Sequence, residues 1–448
     1  MPKLFGTDGI RGVANKELTA EQAMKVGVAG AYVLAGQTGR KPKILIGTDT
    51  RLSSDMLEAA LIAGLCSIGA EVHKVGVVPS PAMAYLIRHY KLDAGVMLSA
   101  SHNPMQDNGI KFFDSTGCKL SDEVEGKIED ILSNTEEVPR PIGADVGRTV
   151  LRKEASADYL KFLLGSLKGE KPLAGLKIAM DCANGATFEI APEAYTKLGA
   201  DIVVIHNKPN GVNINDNCGS THLASLRECV LKSKADIGLA FDGDGDRVLC
   251  IDNMGKELDG DAILAICGLD MKNKGQLKNN TIVATVMSNL GLSNFCEANG
   301  ISLHRTAVGD RYVLQEMLSG NFNLGGEQSG HVILSDYNST GDGVLTGLQL
   351  SAILKESGKA LSDLRKIVVA LPQVLLGAKG RLKGKLEDNK NISKAMQKVE
   401  AELGSKGRLL VRASGTEPLI RVMIEGPNEA VIQKMAEDLV AIIEKELP

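Results

Sequence analysis

The chain has 448 residues, 51 Lys and Arg against 55 Asp and Glu, a formal net charge of -4, 44% hydrophobic residues and no Trp. That length exceeds one ordinary core and implies about three or four domains, with enough apolar content to fill them. The near balance of charge argues against a broad nucleic-acid or anionic-membrane surface, and 3% aromatics argue against base-stacking platforms.

Eight cysteines (Cys66, Cys118, Cys182, Cys218, Cys229, Cys250, Cys267 and Cys296) form no CxxC pair and sit mostly among apolar or Gly-rich neighbours. They read as buried free thiols in a reducing compartment. Lys3, Asp8 and Arg11 interrupt the N-terminus, which has no apolar h-region, and no apolar run approaches the ~20 residues that span a bilayer. A soluble, cytoplasmic protein is expected, without nucleic-acid or membrane partners.

Along the chain, Gly6 to Gly12 brackets Arg11 with glycines, just before a helix that Thr19 and Gln22 open with a capping box. The loop reads equally as a plain turn or as a mount for the arginine. Next come an apolar strand over 43–47, a polar turn, a helix over about 54–68, a stop at Gly69 and a strand over 70–74. The same order recurs from 176 to 203 and from 281 to 304, where the helix is expected over 290–298. Gly ends each helix where a C-cap needs positive φ. Apolar strands without clean alternation imply sheets buried on both faces, hence parallel βαβ units. The last stretch differs: helices over 393–403 and 429–444 flank strands over 408–413 and 419–425, after a polar connecting region near 377–390. The domains expected are 1–150, 151–255, 256–367 and 368–448.

Four loops carry chemistry. Ser101 and His102 follow an apolar strand over 94–98, and Asn103-Pro104 forces a turn there. Carboxyl ends of strands are the usual site location in open α/β sheets, although a capping serine in a polar turn fits too. Asp242, Asp244 and Asp246 alternate with glycines after the strand over 237–241. Without a cation such carboxylates repel, so metal binding is the first reading and a solvated acidic loop the second. A calcium EF-hand is excluded, because Arg247 stands where its sixth-position Gly belongs and Asn253 where its bidentate Glu belongs. Oxygen ligands in small number suit Mg²⁺. The Gly-rich loop with Glu327, Ser329 and His331 matches the donors and acceptors of sugar hydroxyls, or is a glycine turn with a satisfied His. Arg412, Ser414, Gly415 and Thr416, with Arg421 beyond, read as a phosphate nest or as a hairpin turn with surface arginines.

Together and in this order, these motifs resemble the α-D-phosphohexomutase superfamily over the whole chain. Within it, a narrower resemblance is carried by F-G-T-D-G-I-R-G at 5–12, S-A-S-H-N-P at 99–104 with D-N-G-I-K-F-F at 107–113, G-E-Q-S-G-H at 326–331, and S-G-T-E-P-L-I-R at 414–421. The resemblance implies three similar α/β domains with mixed, largely parallel sheets, plus a smaller C-terminal α+β domain, around a central cleft. It implies that Ser101 is a phosphoserine with His102 as its neighbour. Asp242, Asp244, Asp246 and the phosphate on Ser101 would hold one Mg²⁺ per subunit. Arg11, Lys111 and Arg247 would neutralise the transferred group, and Glu327 and Ser329 would bind sugar hydroxyls. His331 would be a proton carrier or only a ligand contact. Arg412, Ser414, Gly415, Thr416 and Arg421 would hold the phosphate that is not transferred.

The narrower resemblance is to members that interconvert glucosamine 6-phosphate and glucosamine 1-phosphate, supplying UDP-N-acetylglucosamine and peptidoglycan precursor synthesis. It implies an isomerase working by ping-pong through a 1,6-bisphosphate, with glucosamine 1,6-bisphosphate or glucose 1,6-bisphosphate as activator, and a homodimer. A phosphoglucomutase or phosphomannomutase, a Mg²⁺-dependent sugar phosphatase and a non-catalytic sugar-phosphate binder are the alternatives. The last would not need Ser101 and Lys111 together.

Overall fold

The computed structural model describes residues 4–6, 8–379, 388–413 and 419–447, with residue 37 by its backbone alone. The chain divides into two compact units, residues 1–287 with 302–367, and 288–301 with 368–448.

The first unit holds three sheets, as the triple strand–helix–strand pattern requires. The first sheet contains β1 (Ile10–Val13), β2 (Lys43–Thr48), β3 (Glu71–Val77), β4 (Ala94–Leu98), β5 (Asp107–Asp114) and β6 (Arg148–Leu151), in the order β1-β5-β4-β2-β3-β6. Its inner strands are parallel, while β5 runs antiparallel to both β4 and β1. The second sheet contains β7 (Lys177–Asp181), β8 (Asp201–Ile205), β9 (Ile237–Phe241), β10 (Val248–Asp252) and β11 (Glu257–Leu258), in the order β11-β10-β9-β7-β8. The third contains β12 (Thr281–Thr285), β13 (Ser302–Thr306), β14 (Leu324–Gly326) and β15 (Val332–Leu334), in the order β13-β12-β14-β15. Strands such as β4, β9 and β12 are buried at every residue, which explains why they read as continuous apolar runs.

The Thr19 capping box forms as expected. The Thr19 hydroxyl accepts from the Gln22 amide at 3.3 Å, and the Gln22 side chain accepts from the Thr19 amide at 3.1 Å. That helix, Ala20–Thr38, lies against the helix Ser53–Ser67 through facing glycines. A Cβ on Gly64 would sit 2.1 Å from the Met24 carbonyl oxygen, and one on Gly27 would sit 2.5 Å from that of Leu61.

The second unit is a three-stranded antiparallel sheet of β16 (Gln373–Lys379), β17 (Arg408–Ala413) and β18 (Leu419–Glu425), in the order β16-β18-β17. Helices Lys390–Leu403 and Glu429–Glu446 supply Ile392, Val399, Ile432, Ala436 and Leu439 to its core. One expectation changes here. The connecting region expected from 377 begins inside β16, whose Val374 and Ala378 alternate into the core. The helix Leu290–Ala298 of the third repeat belongs to this second unit: Leu290 N–H donates to Glu425 Oε2 at 3.2 Å and Asn289 Nδ2 to the Leu371 carbonyl at 3.0 Å. Among the described residues no helix is long and apolar enough to cross a membrane.

The helix contact yields a paired prediction. Gly64→Ala should destabilise by about 1–3 kcal/mol through overpacking. Gly36→Ala, in the same helix pair but with open space around it, should stabilise by about 0.5–1 kcal/mol through helix propensity. Thermal unfolding of the two variants beside the parent, with opposite shifts in Tm, checks it.

Candidate active site

Parallel strands β2 and β4 end level, because Thr48 pairs with Leu98. Their carboxyl ends therefore release residues 49–52 and 99–106 side by side. Ser101 has φ 54°, a left-handed conformation that is uncommon for a residue with a Cβ. Its N–H donates to Ser99 Oγ at 3.0 Å, and Ser99 Oγ donates to Asp49 Oδ2 at 2.6 Å. Its carbonyl accepts from Arg51 Nη2 at 3.0 Å and from Asn215 Nδ2 at 2.9 Å. The Ser101 hydroxyl is thereby aimed at Asp242 Oδ2, 2.6 Å away.

Asp242, Asp244 and Asp246 occupy the turn between β9 and β10, which pair antiparallel from Phe241 and Val248. One carboxylate oxygen of each lies within 4.8 Å of the others, and all three residues are buried. Burial, then Asp246 and Asp244, push the Asp242 carboxyl well above its ordinary value. Burial also opposes ionisation of Asp246, but His331 and Arg247 outweigh it and hold its pKa low. Asp244 Oδ2 accepts from Ser80 Oγ at 2.6 Å and from Lys111 Nζ at 2.8 Å. Asp244 Oδ1 and Asp246 Oδ1 are buried with no hydrogen-bond donor. Such orphaned oxygens are rare in native interiors, and an all-carboxylate set with free lone pairs fits a hard cation such as Mg²⁺. A second cluster, Asp181, His206 and Cys218, differs on this point. The Asp181 carboxylate there already accepts from the Ala183 and Gly219 amides and pairs with His206 Nδ1, so it clamps two loops.

Cations surround the aspartates by strand register. Lys111 on β5 pairs with Met97 of β4, and Arg11 on β1 pairs with Gly109 of β5. Burial works against the Lys111 ammonium, yet Asp244 and Asp8 raise its pKa and keep it charged. Lys111 reaches Asp8 at 3.0 Å, Asp8 pairs with Arg11 and Lys119, and Lys119 reaches Asp310 at 2.6 Å. Burial opposes the charge on Asp8 as well, but Lys111, Lys119 and Arg11 hold its pKa well below the carboxylate range. Arg247 Nη1 donates to His102 Nδ1 at 3.2 Å. Burial, then Arg247 and Arg11, lower the His102 pKa to about 4, so the ring is neutral at neutral pH. Arg11 Nε and Arg247 Nε are buried donors without an acceptor.

The hairpin between β14 and β15 brings Glu327, Ser329 and His331 to the same place. His331 Nδ1 lies 3.3 Å from Asp246 Oδ2, and its Nε2 accepts from the Gly341 amide at 3.0 Å. Burial resists protonation of this ring while Asp246 and Asp310 promote it and raise its pKa. The Gly341 hydrogen bond nonetheless requires a lone pair on Nε2, which assigns the neutral tautomer with Nδ1–H toward Asp246. Ser329 Oγ is a buried hydroxyl with no partner, and Glu327 Oε1 accepts from the Gly309 amide at 3.2 Å.

Ser101, His102, Lys111, Arg247, His331 and the three aspartates thus lie together, and Arg11 joins them through Asp8. Arg412 and Arg421 lie in the second unit, directly opposite one another on β17 and β18. Like charges so placed repel, and burial, then Arg421, lower the Arg412 pKa. Ser414, Gly415 and Thr416 lie outside the described residues. Sequence reasoning passed over Asp49, Arg51, Ser80, Lys119, Asn215 and Asp310. Only for Asp49 and Arg51 was there a local signal, two charges just past an apolar strand.

Gly243 generates a prediction. A Cβ there would lie 2.5 Å from the Ser101 carbonyl oxygen and 2.8 Å from Asn215 Nδ2. Gly243→Ala should displace the serine loop from the aspartates and lower kcat by about 100-fold with the fold intact; steady-state kinetics with circular dichroism checks it.

The domain families phosphoglucomutase/phosphomannomutase alpha/beta/alpha domain I, II and III match residues 2–139, 157–255 and 259–370, and the C-terminal domain of the same family matches 378–442. A solved phosphoglucomutase/phosphomannomutase family protein from Burkholderia thailandensis superposes with a TM-score of 0.83 at 23% identity, over 99% of this chain and 97% of that one. The N-acetylphosphoglucosamine mutase of Aspergillus fumigatus, solved with GlcNAc-6P and magnesium, shares the fold at a TM-score of 0.69 and 17% identity, over 99% and 96% of the two chains. The phosphoglucosamine mutase of Acetivibrio thermocellus is 54% identical over 100% of both chains, and that of Clostridium novyi 54% identical over 99% of both. With four matching domains in order and this identity end to end, the chain belongs to the phosphoglucosamine mutase family of phosphohexomutases.

Proposed function

We propose that the chain interconverts glucosamine 6-phosphate and glucosamine 1-phosphate by passing a phosphoryl group through Ser101. The observation that carries this reading is the left-handed Ser101, its hydroxyl 2.6 Å from Asp242 in a turn of three buried aspartates. Phosphorylated Ser101 gives its phosphoryl group to the free substrate hydroxyl. The P–Oγ bond breaks as the new P–O bond forms, and the hydroxyl proton passes to Oγ, which returns to its hydrogen bond with Asp242. The bisphosphate then turns over and returns its other phosphate to Ser101 by the reverse exchange.

Phosphoryl transfer asks mainly for position and charge, and the residues supply both. Arg11, Lys111 and Arg247 neutralise the two phosphates that must approach each other, and Arg11 Nε is a buried donor with no hydrogen-bond acceptor in the protein. Asp242, Asp244, Asp246 and the phosphate on Ser101 would hold Mg²⁺, which when bound draws charge off the transferring group. His102 keeps Arg247 turned toward the serine. His331, with both nitrogens engaged, holds Asp246 rather than carrying a proton. Glu327 and the unpartnered Ser329 hydroxyl take sugar hydroxyls. Arg412 and Arg421, with Ser414, Gly415 and Thr416, take the phosphate that is not transferred, an anion that relieves the repulsion between the two guanidiniums. A 1,6-bisphosphate would restore enzyme that has lost its serine phosphate. Eight free cysteines support a reducing, cytoplasmic setting.

Ser101→Ala should abolish turnover, and intact-mass measurement should find one phosphate on part of the parent population and none on the variant. Near-parental activity in Ser101→Ala would sink the proposal. Exhaustive chelation should silence the enzyme and added Mg²⁺ restore it; activity that survives chelation removes the metal assignment. Arg421→Ala should cost about 10- to 150-fold in kcat/KM, mostly in KM, because an anchor made equally in ground and transition states contributes to binding alone. A normal KM with a collapsed kcat would transfer that residue to the reacting centre. In kcat/KM, glucosamine phosphates should exceed glucose and mannose phosphates, and parity with glucose 1-phosphate would contradict the substrate assignment.

A further inference from the structure

We infer that Arg51 is a positioning residue for phosphoryl transfer, holding Ser101 in its left-handed conformation; this rests on Ser101 being the phosphate carrier. The Arg51 side chain is 0% exposed and faces Asp49, also 0% exposed, with Nε donating to Asp49 Oδ2 at 2.9 Å. Both of its terminal nitrogens then turn to main-chain carbonyls of a single loop. Nη1 donates to Pro104 and, at 3.0 Å, to Asp107; Nη2 donates to Ser101 at 3.0 Å and to Asn103 at 2.8 Å. An arginine fork usually serves a carboxylate or phosphate. Here all its directions are occupied within the protein, so Arg51 acts on the serine through the backbone and not on the phosphate.

The loop needs such a clamp. Left-handed φ at a residue with a Cβ persists only where the surroundings over-determine it. If the peptide after Ser101 rotated out of that conformation, the carbonyl would leave Arg51 and the hydroxyl would swing off Asp242. A second donor holds the same two carbonyls from the other side: Asn215 Nδ2 reaches Ser101 and Asn103, each at 2.9 Å. Asp49 completes the device, since it balances the guanidinium charge and, through Ser99 Oγ, fixes the Ser101 amide. Both sides of the strained residue are therefore tied to one buried ion pair.

Arg51→Lys in the full chain tests this. Lysine keeps the charge beside Asp49, but one ammonium cannot meet four carbonyls in a plane. Expected are a loss in kcat of about 100-fold, a KM within about 3-fold of the parent, a lower fraction of phosphorylated Ser101 by intact mass, and faster amide exchange confined to residues 99–107. A merely structural role would lower kcat only with the folded fraction and speed exchange throughout the domain. That result, or a kcat within about 3-fold of the parent, overturns the inference. Should Arg51→Lys fail to fold, Asn215→Ala decides: kcat should fall about 10-fold at constant KM, and an unchanged kcat refutes the clamp. A parent with no phosphate on Ser101, or an active Ser101→Ala, would instead defeat the carrier assignment itself.

Discussion

Three carboxylates held within 4.8 Å of one another in a buried turn repel strongly, and most of the polar structure around Asp242, Asp244 and Asp246 answers that repulsion. Burying even one charge is expensive unless it is paired. The fold meets the demand in three ways. Asp242 is pushed toward its protonated form, Asp244 is paired with Lys111, and Asp246 is stabilised by His331 and Arg247. A residual demand stays on the buried Oδ1 atoms of Asp244 and Asp246, which fits the turn to receive a cation.

The pairing does not stop at the turn. From Asp244 it passes to Lys111, Asp8, Lys119 and Asp310. This alternating chain runs from the turn beside the second sheet, through Lys111 of the first, to the start of the helix Asp310–Gly320 that follows β13 of the third. Removing a single member would leave its neighbours buried and uncompensated, a larger loss than any exposed ion pair could cause.

Backbone proximity does the remaining work. Gly243 brings the aspartate turn against the Ser101 carbonyl, and Gly330, at φ 90°, brings the hairpin between β14 and β15 against the carbonyl of Val248, next to Arg247. Neither approach leaves room for a Cβ. Ser101 is thus set by the close approach of the Gly243 backbone and by the side chains of Ser99, Arg51 and Asn215.

The sequence by itself determined where the chemistry-bearing loops lie. Ser101 and the three aspartates each follow an apolar strand that is buried along its full length, and such strands declare their ends in the residues themselves. The Thr19 capping box was equally legible, because both of its partners lie within one helical turn. The strand β16 was not, since its alternation is short and carries a glycine and a polar edge. What only the tertiary structure decided is which distant groups meet. Lys111 stands beside Asp244 because β5 pairs antiparallel with β4, and Arg51 reaches four carbonyls because β2 and β4 end level. Asn215, Lys119 and Asp310 likewise gain their roles from segments distant in sequence meeting in the first unit. Local patterns fix where a strand ends, whereas register, burial and charge balance fix what stands next to that end.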